Sequence, residues 1–285
     1  MTKVLELYGI STQSTAYVDW GSVIAQEICP YLHRKCLKIR KSNPDLTIGT
    51  CSMLYGKEQY GVIICPFRHL ERRQIFTDCF HLLTLHEPGN ELHIIPEVNI
   101  PGGNVDYFLV SVRNKEIRDF VGIELQTLDT TGTTWPDRQR FIRSQGVEIA
   151  GDDISINSTK TFGINWKMTA KTILVQLHHK VQTFQEIDKH LVLVIQDEFM
   201  KYIQRTFQFQ HLNQARLGDS AHLHVYELQP NEDGSRRLEL ASRLSTDADG
   251  IASSLGLRAN PKMELEAIMV VLRSKLSEQT LFTLQ

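Results

Sequence analysis

Acidic and amide side chains stand inside two runs of residues that otherwise have the pattern of buried β-strands. Asp106 lies in NVDYFLVSV, and Glu124 and Gln126 lie in FVGIELQTLD. Desolvation penalises a buried carboxylate unless it is paired or binds a metal ion. Alternate residues of a strand share a face, so Glu124 and Gln126 point the same way, and a neighbouring strand can bring Asp106 beside them. This set of oxygen ligands predicts a Mg²⁺ site. The alternative is that both acids only end strands or face water.

The five cysteines all fall within roughly the first 90 residues, which indicates a separate subdomain. No signal-peptide pattern or membrane-length apolar run is present, so we expect a cytoplasmic protein with reduced thiols. Four of the cysteines are then candidate metal ligands: Cys29, Cys36, Cys51 and Cys65. Four sulfur ligands suit zinc, a single iron or an iron–sulfur cluster. The alternative is that they are small buried apolar side chains, which is how we interpret Cys79.

The elements that must position these residues follow from hydrophobic periodicity. The pattern predicts a helix from about His69 to His86, strands over about Asn104 to Val112 and Phe120 to Leu128, and a polar loop from Asp129. An amphipathic helix follows, with Ile173, Leu174, Leu177 and Val181 on its apolar face. The continuous apolar run HLVLVIQ predicts a central strand, HLHVYEL another strand, and KMELEAIMVVLRSKL a C-terminal helix. The order β, β, α, β predicts a mixed α/β sheet.

Composition restricts the possible functions only weakly. The chain has 285 residues, 41% of them hydrophobic and 22% charged, with a formal net charge of −2. Such values suit one large domain with appendages and give no overall basic signal for nucleic acid. Any contact with DNA would therefore need a local patch. The candidates are two arginine groups: Arg68, Arg72 and Arg73, and Arg138, Arg140 and Arg143.

The segment PEVNIPGGNVDYFLV followed by GIELQTLDTTGT, together with the cysteines, resembles the NotI family of type II restriction endonucleases and their PD-(D/E)XK core. The resemblance extends from about Cys29 to Asp129. It implies that Asp106 and Glu124 bind Mg²⁺, that Gln126 replaces the usual lysine, and that Glu97 is an accessory acid. Glu87 and Glu91 lie in the same segment ahead of Asp106 and are the alternatives for the accessory acid. It also implies one structural iron on the four cysteines, with zinc the alternative.

The absent lysine has a chemical consequence. Glutamine cannot accept a proton near neutral pH, so Gln126 can orient the attacking water but cannot be its general base. Activation of the water would then come from the metal, assisted by Glu97 or by the substrate phosphate. The expected reaction is in-line hydrolysis of a phosphodiester without a covalent intermediate.

We therefore expect an α/β protein with a PD-(D/E)XK restriction-endonuclease-like mixed sheet flanked by helices. Its expected parts are a cysteine-rich, DNA-contacting subdomain (1–90), a nuclease core (91–230) and a C-terminal helical extension (231–285). The expected function is Mg²⁺-dependent, site-specific cleavage of double-stranded DNA by a homodimer, because a palindrome presents two equivalent strands. The alternatives are a structure- or end-dependent nuclease of repair or recombination, and a metal-stapled DNA-binding module with a vestigial nuclease site.

Overall fold

The computed structural model describes residues 3–41, 43–147, 162–207, 212–255 and 261–275. The strands are β1 Val4–Leu7, β2 Ile10–Ser11, β3 Ile28–Cys29, β4 Arg34–Lys35, β5 Ile39–Arg40, β6 Asn43–Thr47, β7 Thr50–Tyr55, β8 Tyr60–Ile63, β9 Glu91–Ile100, β10 Gly103–Arg113, β11 Glu116–Leu125, β12 Thr130–Thr131, β13 Gly163–Ile164, β14 His190–Gln196, β15 Asn213–Gln214, β16 Ala221–Pro230 and β17 Arg236–Thr246. The α-helices are α1 Trp20–Gln26, α2 Gln74–Cys79, α3 Trp135–Ser144, α4 Trp166–Glu186, α5 Asp197–Thr206, α6 Ala248–Ser254 and α7 Pro261–Lys275. Pro66–Arg73 and Phe80–Leu82 form 3-10 helices.

A seven-stranded mixed sheet forms the larger part of the fold, in the order β15-β17-β16-β14-β11-β10-β9. β9, β10 and β11 make an antiparallel meander, whereas β11, β14 and β16 run parallel. The parallel step from β11 to β14 needs a crossover, and α4 lies within it. The prediction of a mixed α/β sheet is confirmed. The prediction of a central strand is also confirmed, because β14 is the fourth of the seven strands and all its residues are buried.

The N-terminal part has its own four-stranded sheet, in the order β2-β1-β7-β8. The short hairpins β3–β4 and β5–β6 accompany it. The seven-stranded sheet is built from strands between Glu91 and Thr246. The division into parts at residues 90 and 230 stays a prediction.

The predicted helix from His69 to His86 is wrong as a single element. The backbone is left-handed at Arg72 (φ 50°) and Arg73 (φ 54°), which separates a 3-10 helix from α2. A continuous α-helix cannot pass through such residues. The break allows Arg68 and His69, both fully buried, to enter the interior on a different axis from α2.

The polar loop predicted from Asp129 is also partly wrong, because it contains α3. Pro136 stands in the first turn, where its missing N–H is tolerated, and Trp135, Phe141 and Ile142 are buried. The helix was not predicted because it has only ten residues and its few apolar side chains stand in a mostly polar segment. The end of the predicted loop, from residue 148 onward, lies outside the described residues.

Candidate active site

Asp106 and Glu124 lie side by side on neighbouring strands. Tyr107 of β10 pairs with Ile123 of β11, so the next pair along the antiparallel register is Asp106 with Glu124. Asp106 Oδ2 accepts a hydrogen bond of 2.8 Å from the backbone N–H of Leu125. Both predicted strands are present, and the structure brings the two carboxylates together as their spacing predicts.

Burial dominates the electrostatics of this pair. It raises the pKa of Glu124 to about 7, and the neighbouring charge of Asp106 adds to the rise. Burial also raises the pKa of Asp106, while the hydrogen bond from Leu125 opposes the rise. Two close carboxylates that resist ionisation together are a site that a divalent cation would stabilise.

Glu97 faces the same site from the edge strand. Val98 pairs with Val105 and Pro96 with Tyr107, which places Glu97 opposite Asp106. Its side chain is exposed, its backbone is left-handed (φ 52°), and its charge contributes to the raised pKa of Asp106.

The two other acids considered for this role belong to the far end of the meander. Glu91 pairs with Val112, and Glu87 forms an ion pair with Arg113. Six residues of extended strand separate Val112 from Asp106, which is about 20 Å. Of the three acids, Glu97 is therefore the one that the fold places beside Asp106.

Gln126 lies one residue beyond the end of β11, so its predicted place inside the strand is wrong. Its backbone N–H still donates to the Val194 carbonyl at 3.0 Å. Its side-chain Nε2 donates to the Thr127 carbonyl at 2.5 Å, and the side chain is half-buried. The chain turns away here because the parallel pairing with β14 ends at Leu125.

Lys180 is the site residue that the sequence reasoning missed. It comes from α4, is 7% exposed, and its Nζ lies 2.6 Å from Glu124 Oε1. A signal was present in the sequence: Lys180 falls between Leu177 and Val181 on the apolar face of the predicted helix. A charged residue on that face must find a buried partner.

The four candidate cysteine ligands are all buried and come from two hairpins. Cys29 ends β3 and Cys36 follows β4, while Cys51 lies in β7 and Cys65 follows β8. The backbone N–H of Cys65 donates to the Cys51 carbonyl at 3.2 Å, so this pair is adjacent across its hairpin. Cys79 lies apart, in the core beside His224, as expected for a packing residue.

The thiols of the two hairpins are near enough to influence one another. Burial raises the pKa of Cys65, and the charges of Cys36 and Cys29 add to the rise. Burial likewise raises the pKa of Cys51, with Cys65 the next contribution. Within the described ranges, however, no group of three or more His, Cys, Asp or Glu side chains is arranged to hold a metal ion. The sulfurs are thus neighbours but do not form a closed coordination shell.

Backbone amides direct partial positive charge toward these sulfurs. Hydrogen bonding from the backbone of Leu32 and Tyr31 opposes the burial-driven rise in the pKa of Cys29, and the backbone of Phe67 does the same for Cys65. Amides so placed favour the thiolate, which is the metal-binding form. The backbone around Cys29 and Cys65 therefore favours thiolates, although the described side chains do not form a group that holds a metal ion.

Two of the predicted DNA-contacting arginines are structural. Arg68 is fully buried, and its Nε donates to both carboxylate oxygens of Glu6. Arg138 is 2% exposed and donates to the Ile48 carbonyl at 2.7 Å. Neither guanidinium can reach a DNA backbone, so their assignment to a DNA contact is wrong.

Comparison with known protein families places the chain among the restriction endonucleases. The matching family model is described as restriction endonuclease NotI, and it covers residues 21–236, most of the chain. The protein belongs to this family, and it is therefore a DNA endonuclease, as the resemblance in the sequence implies. The four cysteines, the acids, Gln126 and Lys180 all fall within the match. None of the curated proteins compared with the chain matches it.

Among the residues that the structure describes, no helix is long and apolar enough to cross a membrane.

Proposed function

We propose that this protein is a site-specific type II restriction endonuclease that hydrolyses double-stranded DNA with Mg²⁺ at a PD-(D/E)XK site. The observation that carries the proposal is the pairing of Asp106 with Glu124 on adjacent strands, with Glu97 opposite Asp106. The family match over these residues supports it.

Each residue of the site has a role in the proposed reaction that follows from its side-chain chemistry. Asp106 and Glu124 would hold Mg²⁺, which when bound supplies an activated water and neutralises charge on the phosphate. Glu97 is exposed on the edge strand β9 and would accept a proton from the attacking water. Gln126 orients water but takes no proton.

The cysteine-rich part would brace DNA-reading elements through one iron or zinc on Cys29, Cys36, Cys51 and Cys65. Support comes from the convergence of the β3–β4 hairpin, which has little core of its own, with the β7–β8 hairpin of the N-terminal sheet. Arg34 is exposed at the first of these hairpins, where an arginine could contact phosphate.

A homodimer is the expected assembly, and α7 is the surface that we propose for it. Its central side chains Ile268, Val271 and Leu272 are each more than half exposed. Glu266 stands toward its start and Arg273 toward its end. Two copies crossing antiparallel on a two-fold axis would bury the apolar centre and place Glu266 of each beside Arg273 of the other.

The test is to incubate the purified protein with long duplex DNA and Mg²⁺ and to sequence the product ends. Fixed fragments ending at one palindrome are expected. Glu124→Ala should reduce cleavage by at least about a thousandfold while retaining DNA binding. Glu116→Ala, in the exposed part of the same strand, is the matched control and should cleave normally.

Other outcomes would redirect the assignment. A continuous smear that Glu124→Ala abolishes would indicate a structure- or end-dependent nuclease instead. Intact DNA on several sequence-diverse substrates, with binding unaffected by Glu124→Ala, would indicate a DNA-binding module with a vestigial site.

A further inference from the structure

Lys180 is a buried cation with two fixed partners. Besides the contact with Glu124, its Nζ donates to the Asn104 carbonyl at 2.5 Å. The ammonium is thus held between a carboxylate of β11 and the start of β10. An ammonium removed from water persists only where such acceptors replace the lost hydration.

The turn before β10 approaches α4 closely. Thr183 Oγ1 donates to the Pro101 carbonyl at 3.2 Å. Gly102 has φ 98°, and a Cβ there would lie 3.2 Å from the His179 carbonyl oxygen. Glycine alone suits this conformation at this distance. The IPGGN segment therefore brings the Asn104 carbonyl within reach of Lys180.

We propose that Lys180, on α4, is a positioning residue of the nuclease site that orients the Glu124 carboxylate. The inference rests on the proposed nuclease function. Lys180 engages Glu124 Oε1, so the carboxylate has a fixed orientation with Oε2 left for a metal ion beside Asp106. It acts through Glu124 and needs no contact with DNA.

The first test compares Lys180→Met with Lys180→Arg. Methionine fills space without charge, whereas arginine keeps the charge and the donors. With saturating Mg²⁺, Lys180→Met should lower kcat by about a hundredfold or more and leave the KM for DNA within about threefold. Lys180→Arg should recover at least about tenfold of that loss. Lys171→Met, on the exposed face of α4, is the matched control and should resemble the wild type.

The second test measures coupling to Glu124 by urea unfolding, without any cleavage. Lys180→Met should raise the unfolding equilibrium constant by about a hundredfold, because it leaves a buried carboxylate unpaired. In a Glu124→Gln background, the same substitution should raise it less than about fivefold. Equal effects in both backgrounds would show that Lys180 does not act through Glu124, and would overturn the inference.

The two tests separate this inference from the proposed function. If the wild type cleaves, Glu124→Ala does not, and Lys180→Met cleaves within about threefold of the wild type, the nuclease stands and the role of Lys180 is refuted. The role of Lys180 would also be refuted if Lys180→Arg failed to reduce the loss of kcat and Lys180→Met destabilised the wild type and the Glu124→Gln variant equally. If the wild type cleaves no DNA, the nuclease proposal fails, and the unfolding coupling alone decides whether Lys180 orients Glu124.

Discussion

Replacing Arg68 should destabilise the fold far more than replacing its neighbour Arg72. The Arg68 guanidinium is bound to both oxygens of Glu6, at 3.0 and 2.9 Å, and to Glu71 Oε2 at 3.0 Å. It also donates to the Arg236 carbonyl at 3.2 Å, so it joins the N-terminal sheet to β17 of the larger sheet. Arg68 and Glu6 are each 1% exposed at the side chain. Removing one member of such a buried pair costs about 3–5 kcal/mol.

Urea unfolding followed by fluorescence would measure the effect. Arg68→Met should lower the free energy of unfolding by about 3–5 kcal/mol, which is a large share of the roughly 5–15 kcal/mol typical of a domain. Arg72→Met, exposed on the same segment, is the control and should cost less than about 1 kcal/mol. If Arg68→Met does not fold, Glu6→Gln tests the same pair from its other member. The double variant Glu6→Met with Arg68→Met should recover most of the loss, because the fully buried carboxylate is removed with its partner and only the less buried Glu71 loses an ion pair. A cost at Arg68 no larger than at Arg72, or a double variant as unstable as the single one, would refute the reasoning.

Three further predictions concern acid stability, the cysteines and assembly. Burial, and then the charge of His190, lower the pKa of His222 to about 4. Because the folded-state pKa lies below the unfolded value near 6.5, its contribution to stability is complete above about pH 6.5 and is lost as the pH falls toward 4. His222→Gln should therefore lose about 2 kcal/mol less than the wild type between pH 7 and pH 5 in urea unfolding, and an equal loss would contradict the assignment. Cys51→Ala should lose the proposed structural metal, measured by elemental analysis and visible absorption, whereas Cys79→Ala should retain it; a soluble, fully active, metal-free Cys51→Ala protein would exclude this metal. Ile268→Glu should shift a dimer toward monomer in sedimentation by at least about tenfold in Kd, whereas Met168→Glu, exposed on α4, should leave the dimer intact.

The sequence predicted the central part of the fold well because its signals there are local. β10, β11, α4, β14 and β16 each have a clear periodicity, and their order sets a mixed sheet. The pairing of Asp106 with Glu124 follows from two strands and a short turn. The break at Arg72 and Arg73 was not predictable in this way, because a left-handed backbone at arginine leaves no mark on hydrophobic spacing.

The charged residues were harder to interpret, for a common physical reason. Arg68, Arg138 and Lys180 were each treated as surface residues or passed over, yet all three are buried against partners distant in the chain. Arg138 reaches the Ile48 carbonyl, 90 residues away, and Lys180 reaches Glu124, 56 residues away. Local composition marks a long cationic side chain as solvated, but its position on an apolar face decides its burial. At Lys180 the helical spacing from Leu177 and Val181 outweighs the charge, and the buried acid that the charge requires is Glu124. A buried carboxylate and a buried ammonium each carry a desolvation cost when alone. Their pairing offsets this cost and explains how Glu124 remains in a buried strand without a metal ion.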